Sequence, residues 1–165
     1  MTHQRSYEWT DPATVIRTVG SLSGSEVVAG FVSGSVPATP AATTLGVEVE
    51  SAGEGKAVLI CPIAEWHCNT AGVVNGGLVS AMADNALGLA LLSVAPPAHR
   101  QTTLDLHVRF VRAIPINVGR LKIIATVQHA GKRTGVAECV VVDDDETVFA
   151  HGTCSNLFYP AERRS

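Results

Sequence analysis

Between Ala71 and Pro97 the chain carries a single charged side chain, Asp84, in a long apolar run broken by few polar residues. Such a run either crosses a bilayer or fills the centre of a folded core. A carboxylate near the middle of a membrane helix costs about 2.5–3.5 kcal/mol on insertion scales. Asn75, Ser80 and Asn85 add to that cost, and no Lys or Arg flanks either end closely. The run therefore reads as a buried helix over Gly76 to Val94, stopped by Pro96-Pro97. A helix apolar almost all round must be covered almost all round. The rest of the chain has to supply that cover.

The flanking segments have strand periods. Leu45 to Val49 alternates, Gly53-Glu54-Gly55 turns the chain, and Lys56 to Ile63 reads as a second strand. Beyond the helix, Leu104, Leu106, Val108 and Phe110 alternate with Asp105, His107 and Arg109. Arg120 to His129 and Thr134 to Val142 flank the turn Ala130-Gly131-Lys132-Arg133, and a last strand spans about Thr147 to Phe158. Two strands, one apolar helix and several antiparallel strands make an α+β layout with the sheet curled round the helix. Ahead of it, residues 1–40 read as a helical extension to a domain over 41–160. Asp11-Pro12 starts one helix, a second runs from about Ser25 to Val32 and ends at Gly34, and Val36 to Pro40 is an extended connector.

With 165 residues, 46% hydrophobic and 16% charged, the chain has material for one core. A net charge of −3, with small basic clusters only at Lys132-Arg133 and Arg163-Arg164, offers no field for nucleic acid or anionic lipid. Cys61, Cys68, Cys139 and Cys154 form no CxxC pair and read as reduced, mostly buried residues. Met1 to Trp9 is polar and shows no apolar signal region, so a cytoplasmic protein is expected. Asp143-Asp144-Asp145-Glu146 reads as a solvated turn, and His67-Cys68 lacks further ligands at zinc-like spacing, so no metal site is expected.

The helix itself carries the chemistry. Gly77, Ser80, Ala81 and Gly88 share the face of Asp84, and this small-residue stripe admits either a slender ligand or a closely packed backbone. Gly76-Gly77 at the helix start leaves amide N–H groups at the positive end of the dipole, a natural cradle for a developing oxyanion. Gly76 and Asp84 lie eight residues apart, about 12 Å along one helix at ~1.5 Å per residue. One helix cannot aim both at a single carbonyl carbon. Two antiparallel helices can, so if both groups are catalytic the expected active unit is a dimer with two equivalent interfacial sites.

The run His67-Cys68-Asn69-Thr70-Ala71-Gly72-Val73-Val74-Asn75-Gly76-Gly77, followed by Asp84, resembles the PaaI-like branch of the hotdog-fold thioesterases. Leu104 to Arg112, Gly119-Arg120-Leu121, His129 to Arg133 and His151-Gly152-Thr153 resemble it too, so the likeness covers roughly residues 40–158. The resemblance implies a sheet wrapped around one central helix and hydrolysis of an acyl- or aryl-CoA, without metal or redox cofactor. It places Asp84 as nucleophile or general base. Gly76 becomes the amide that polarises the thioester carbonyl, Asn69 a group that helps place thioester or water, and Thr103 a hydroxyl near the attacking water. Asn75 and Gly77 border the substrate, and Arg112, Lys132 and Arg133 are candidates for the phosphates of coenzyme A. The implied assembly is a homodimer or a tetramer of paired dimers.

One position departs from the pattern. Family members usually carry histidine before the two glycines, where this chain has Asn75, which cannot carry a proton at neutral pH. An acyl-CoA binding or sensing protein without efficient catalysis is therefore the alternative function. A dehydratase acting on hydroxyacyl thioesters needs a histidine beside its carboxylate, and the usual helix histidine is missing here.

Overall fold

The computed structural model describes residues 1–161, so Arg163 and Arg164 lie outside the described residues. Four helices and six strands follow in the order α1 (Pro12–Val19), α2 (Gly24–Ser33), α3 (Pro40–Leu45), β1 (Glu48–Gly53), β2 (Lys56–Pro62), α4 (Gly76–Leu92), β3 (His99–Phe110), β4 (Arg120–Ala130), β5 (Thr134–Val142) and β6 (Val148–Pro160). The strands form one antiparallel sheet in the order β1-β2-β4-β5-β6-β3, and α4 touches all six. This is the hotdog layout. Its core joins Val79, Met82, Ala83, Leu87 and Leu91 of α4 to inward residues such as Leu59, Leu121, Ile123, Val141 and Phe158.

α4 is 17 residues long, and no helix among the described residues is long and apolar enough to cross a membrane. Its cover is incomplete. Val79, Met82, Ala83, Ala86, Leu87, Ala90 and Leu91 are fully buried, whereas Gly77 is exposed and Ser80, Ala81, Asp84 and Asn85 are only half-buried. The sheet wraps one side of the helix and leaves the small-residue side open. An apolar helix with one open face needs something further against that face.

The expected alternation in β3 is broken by a bulge. The register with β6 shifts between Thr103 and Asp105, and Leu104, expected inside, is 58% exposed. The extra residue changes the phase of the strand. Gln101 and Thr103 therefore face α4 together with Leu106 and Val108, although odd and even positions of an unbroken strand face opposite sides.

The extension is packed rather than loose. Asp11 and Ser23 cap α1 and α2, and Gly34 closes α2 with φ +77°. Val27 and Val28 pack against Leu92, and the Arg100 guanidinium donates to the carbonyls of Val19 and Leu22 at 2.7 and 3.0 Å. The connector expected through Pro40 instead ends at Thr39, whose hydroxyl accepts from Ala42 N–H at 3.3 Å and caps α3. That helix takes the place of the strand start expected at Leu45, so β1 begins at Glu48. The Thr39-Pro40 pair is the same cap-and-proline signal as Asp11-Pro12.

Candidate active site

Asp84 sits in the middle of α4, at the border between its buried and open faces. The Thr103 hydroxyl donates to Asp84 Oδ1 at 2.8 Å. The bulge at Leu104 makes that contact possible, because it turns Thr103 inward. Behind the pair stand two amides that sequence reasoning missed. Asn156, opposite Thr103 on β6, is fully buried and donates through Nδ2 to Gln101 Oε1. Its Oδ1 is buried with no partner among the described residues. Asn156 stood between the inward residues Cys154 and Phe158, so a polar residue in an apolar slot was a readable signal. Gln101 was hidden by the bulge.

Gly88, one turn beyond Asp84, belongs to this wall rather than to an open stripe. A Cβ there would stand 2.8 Å from Gln101 Nε2. The two readings of the small residues therefore divide between them. Gly88 serves close packing, while Gly77 and Ala81 stay on the open face.

At the entrance of α4, Asn75 is the N-cap. Its Oδ1 accepts from Gly77 N–H at 2.8 Å and from Leu78 N–H at 3.4 Å. Gly77 therefore spends its amide on the cap, while the Gly76 N–H has no partner among the described residues. The Phe110 ring lies against Gly76, and a Cβ at that position would stand 3.0 Å from Phe110 Cζ. Val74, Gly76, Phe110, Arg112 and Ile114 line a cavity of about 370 Å³ at this end of the helix. A free amide, the positive helix end and an exposed guanidinium share that cavity wall.

The other candidates are placed apart. Asn69 Oδ1 accepts from Ala71 and Val73 N–H at 2.8 and 3.4 Å, which organises the loop before the helix. Lys132 and Arg133 are exposed in the β4–β5 turn, next to Gly135, which abuts Leu91 near the C-terminal end of α4. Within one chain they stand at the opposite end of the helix from Gly76 and Arg112. His67 is 1% exposed: Ala64 N–H donates to its Nδ1 at 3.0 Å, so the ring hydrogen is on Nε2, which donates to Leu45 C=O at 3.0 Å. It staples the loop to α3 and does not replace the histidine that Asn75 displaces.

Three of the four cysteines supply no competing nucleophile. All four are free, and Cys61, Cys139 and Cys154 are buried. Burial pushes the Cys154 thiol up to about 11, with the negative charge of Asp84 adding to the effect. Burial likewise raises Cys139 to about 12 and Cys61 to about 11. A protonated thiol is a weak nucleophile. In the acidic turn, Asp143 Oδ1 accepts from Asp145 and Thr147 N–H, and Asp144 pairs with Arg120 and Lys122. The Arg120 hydrogen bond, foremost, holds the Asp144 carboxyl below its ordinary range.

A sheet curled round one helix, with a half-buried acid mid-helix and a bare amide at the helix start, defines a hotdog protein. Comparison with known proteins gives the family. A family model described as thioesterase superfamily matches residues 71–150. An inferred esterase of Halobacterium salinarum is 37% identical over 114 residues, covering 66% of this chain and 74% of that protein. The conserved protein PA5202 of Pseudomonas aeruginosa superposes with TM-score 0.69 at 28% identity, over 74% of this chain and 95% of its own. The PaaI protein of the E. coli phenylacetic acid degradation operon gives TM-score 0.73 at 23% identity, over 84% and 98% of the two chains, a likeness of fold. The chain belongs to the thioesterase superfamily.

Proposed function

We propose that the protein hydrolyses an acyl- or aryl-CoA thioester to the free acid and coenzyme A, with its site shared between two copies of the chain. The observation that carries this reading is the Asp84 carboxylate, held by Thr103 at the edge of the one open face of an otherwise buried helix. The Gly76 N–H of one chain polarises the thioester carbonyl, and Asp84 of the other attacks the carbonyl carbon or takes a proton from attacking water. When water attacks, the proton that Asp84 takes from it passes to the departing thiolate as the C–S bond breaks. When Asp84 itself attacks, the thiolate leaves a mixed anhydride, which water then hydrolyses to the free acid and the restored carboxylate, the proton released from that water going to the thiolate. No metal or redox cofactor has a part in these steps.

Three features support the shared site. An antiparallel helix pair that sets Gly76 against Asp84 has its axis at the midpoint, residue 80. There Gly77, Ser80 and Ala81 are small and half-exposed or exposed, so two backbones can approach closely. The same pairing carries Lys132 and Arg133 of one chain towards Gly76 and Arg112 of the other, which gathers the cations for the coenzyme A phosphates. Finally, β3 is a 12-residue strand at the sheet edge, bearing exposed Leu104 and Phe110, and such an edge calls for a partner.

The test is thiol release from a panel of alkyl- and aryl-CoA thioesters by wild type and Asp84→Ala, with the mass in solution measured alongside. Loss of turnover by about 10³-fold or more is expected. Undiminished turnover in Asp84→Ala, or a monomer that turns over fully, removes the mechanism. One observation favours a second reading. With Asn75 Oδ1 committed to the helix cap, the position before the two glycines holds a side chain that carries no proton at neutral pH, as suits acyl-CoA binding without efficient hydrolysis. Tight binding of acyl-CoA without thiol release, and turnover gained in Asn75→His, would establish it.

A further inference from the structure

A larger cavity, of about 470 Å³, lies between the N-terminal helices, β1 and α4, within the size range of small-molecule sites. Phe31 of α2, Val36 of the connector, Ala42 of α3, Val49 of β1, and Asn85 and Leu89 of α4 line it. Asn85 is the residue after Asp84, so their Cα atoms stand about 3.8 Å apart. The helix turns by about 100° per residue, so Asp84 faces β3 while Asn85 and Leu89 face the extension. Half-buried Ala81 lies on the helix surface between these two directions.

A group bonded to the carbon that Asp84 attacks has two directions to extend. Towards β3 it meets Thr103 and the Gln101 amide packed on Gly88. On the side of Asn85 and Leu89 it meets this chamber. The Asn85 side chain folds back on the helix at this border, its Nδ2 donating to Ala81 C=O at 2.8 Å. The walls are mostly apolar. No Lys or Arg lines them, and the one charge is the carboxylate of Glu48.

We infer that this chamber takes the uncharged apolar acyl or aryl group of the thioester, and that α2 and α3 set which groups fit. The inference rests on the proposed thioesterase reading. It assigns the extension a role in selectivity, since α2 and α3 supply walls that the sheet and α4 alone leave open. Glu48, an exposed carboxylate at the rim of the chamber, disfavours acyl groups that end in a carboxylate by like charge.

The experiment compares kcat/KM for acetyl-, butyryl-, succinyl-, decanoyl- and phenylacetyl-CoA in wild type, Ala42→Phe and Phe31→Ala, with folding checked by circular dichroism. Filling the chamber in Ala42→Phe is expected to lower the decanoyl-to-acetyl ratio by at least about tenfold. Opening it in Phe31→Ala is expected to raise the phenylacetyl-to-acetyl ratio by about threefold or more, and that variant carries the test if Ala42→Phe does not fold. Ratios within about twofold of wild type in both folded variants, or succinyl-CoA used as well as butyryl-CoA, would overturn the assignment while leaving hydrolysis intact. Calorimetric binding of S-alkyl-CoA thioethers separates the two readings. If wild type releases no thiol, affinity that rises with alkyl length and falls about tenfold in Ala42→Phe upholds the chamber and sinks only the hydrolysis. Affinity independent of alkyl length sinks the chamber.

Discussion

Gly24→Ala tests whether the N-terminal extension is seated on the catalytic helix. Gly24 is the first residue of α2, and a Cβ built there lies 2.3 Å from the Leu92 carbonyl oxygen at the end of α4. Ordinary contact begins near 3.4 Å, so the two backbones must part by about 1 Å. Neither atom belongs to a flexible side chain, so the strain has no cheap outlet. Val27 and Val28, 4% and 0% exposed, hold α2 against Leu92. Full burial of each contributes about 1.5–3 kcal/mol, and a gap approaching 1 Å forfeits about a quarter to a half of the contact energy. The expected destabilisation is therefore about 1–3 kcal/mol. In a domain of this size it lowers Tm by about 2–4 °C per kcal/mol. Urea and thermal unfolding of the variant beside wild type measure it directly. The sign is decisive, because Gly→Ala at a helix position without a clash stabilises by about 0.4–1 kcal/mol. A Tm equal to or above that of wild type would refute the seating of α2 and, with it, one wall of the acyl chamber.

Three further outcomes are expected. Thr103→Val keeps the shape of the side chain but removes the donor to Asp84, and a hydrogen bond to a charged group is worth about 1.5–3 kcal/mol, so kcat should fall about 10- to 100-fold in a variant still folded by circular dichroism, with Thr103→Ser restoring most of it. His67→Ala leaves the Ala64 N–H and the Leu45 carbonyl without their partners in a buried loop and should lower stability by about 2–4 kcal/mol in urea; an effect on kcat at full stability would contradict its structural role. At pH 8 a thiol reagent should label half-buried Cys68 alone, the other three reacting only on unfolding. The fold holds the protons of Cys61, Cys139 and Cys154 more tightly than the ordinary value of 9.0, so their contribution to stability is full below pH 9 and is lost as pH rises through about 11 to 12, which alkaline unfolding curves of Cys→Ser variants would show.

The buried helix, its acid and the succession of strands along the chain were legible from the amino acids, because hydrophobic period and isolated charge are local properties. One carboxylate in a long apolar run announces a core helix with a purpose, and Asp11-Pro12 or Gly34 announce helix ends, without knowledge of anything distant. Tertiary structure decided the rest. A single bulge at Leu104 reversed the phase of β3, brought Thr103 to Asp84 and put Gln101 against Gly88, and no pattern of alternation foretells where a strand gains a residue. Asn75, read as a departure from the family's histidine beside the substrate, also caps the helix. Lys132 and Arg133 looked like partners of Arg112, yet the hairpin carries them to the other end of α4. The extension looked like a preamble, but its helices wall a cavity of about 470 Å³, because burial and proximity depend on which distant residues the fold brings together.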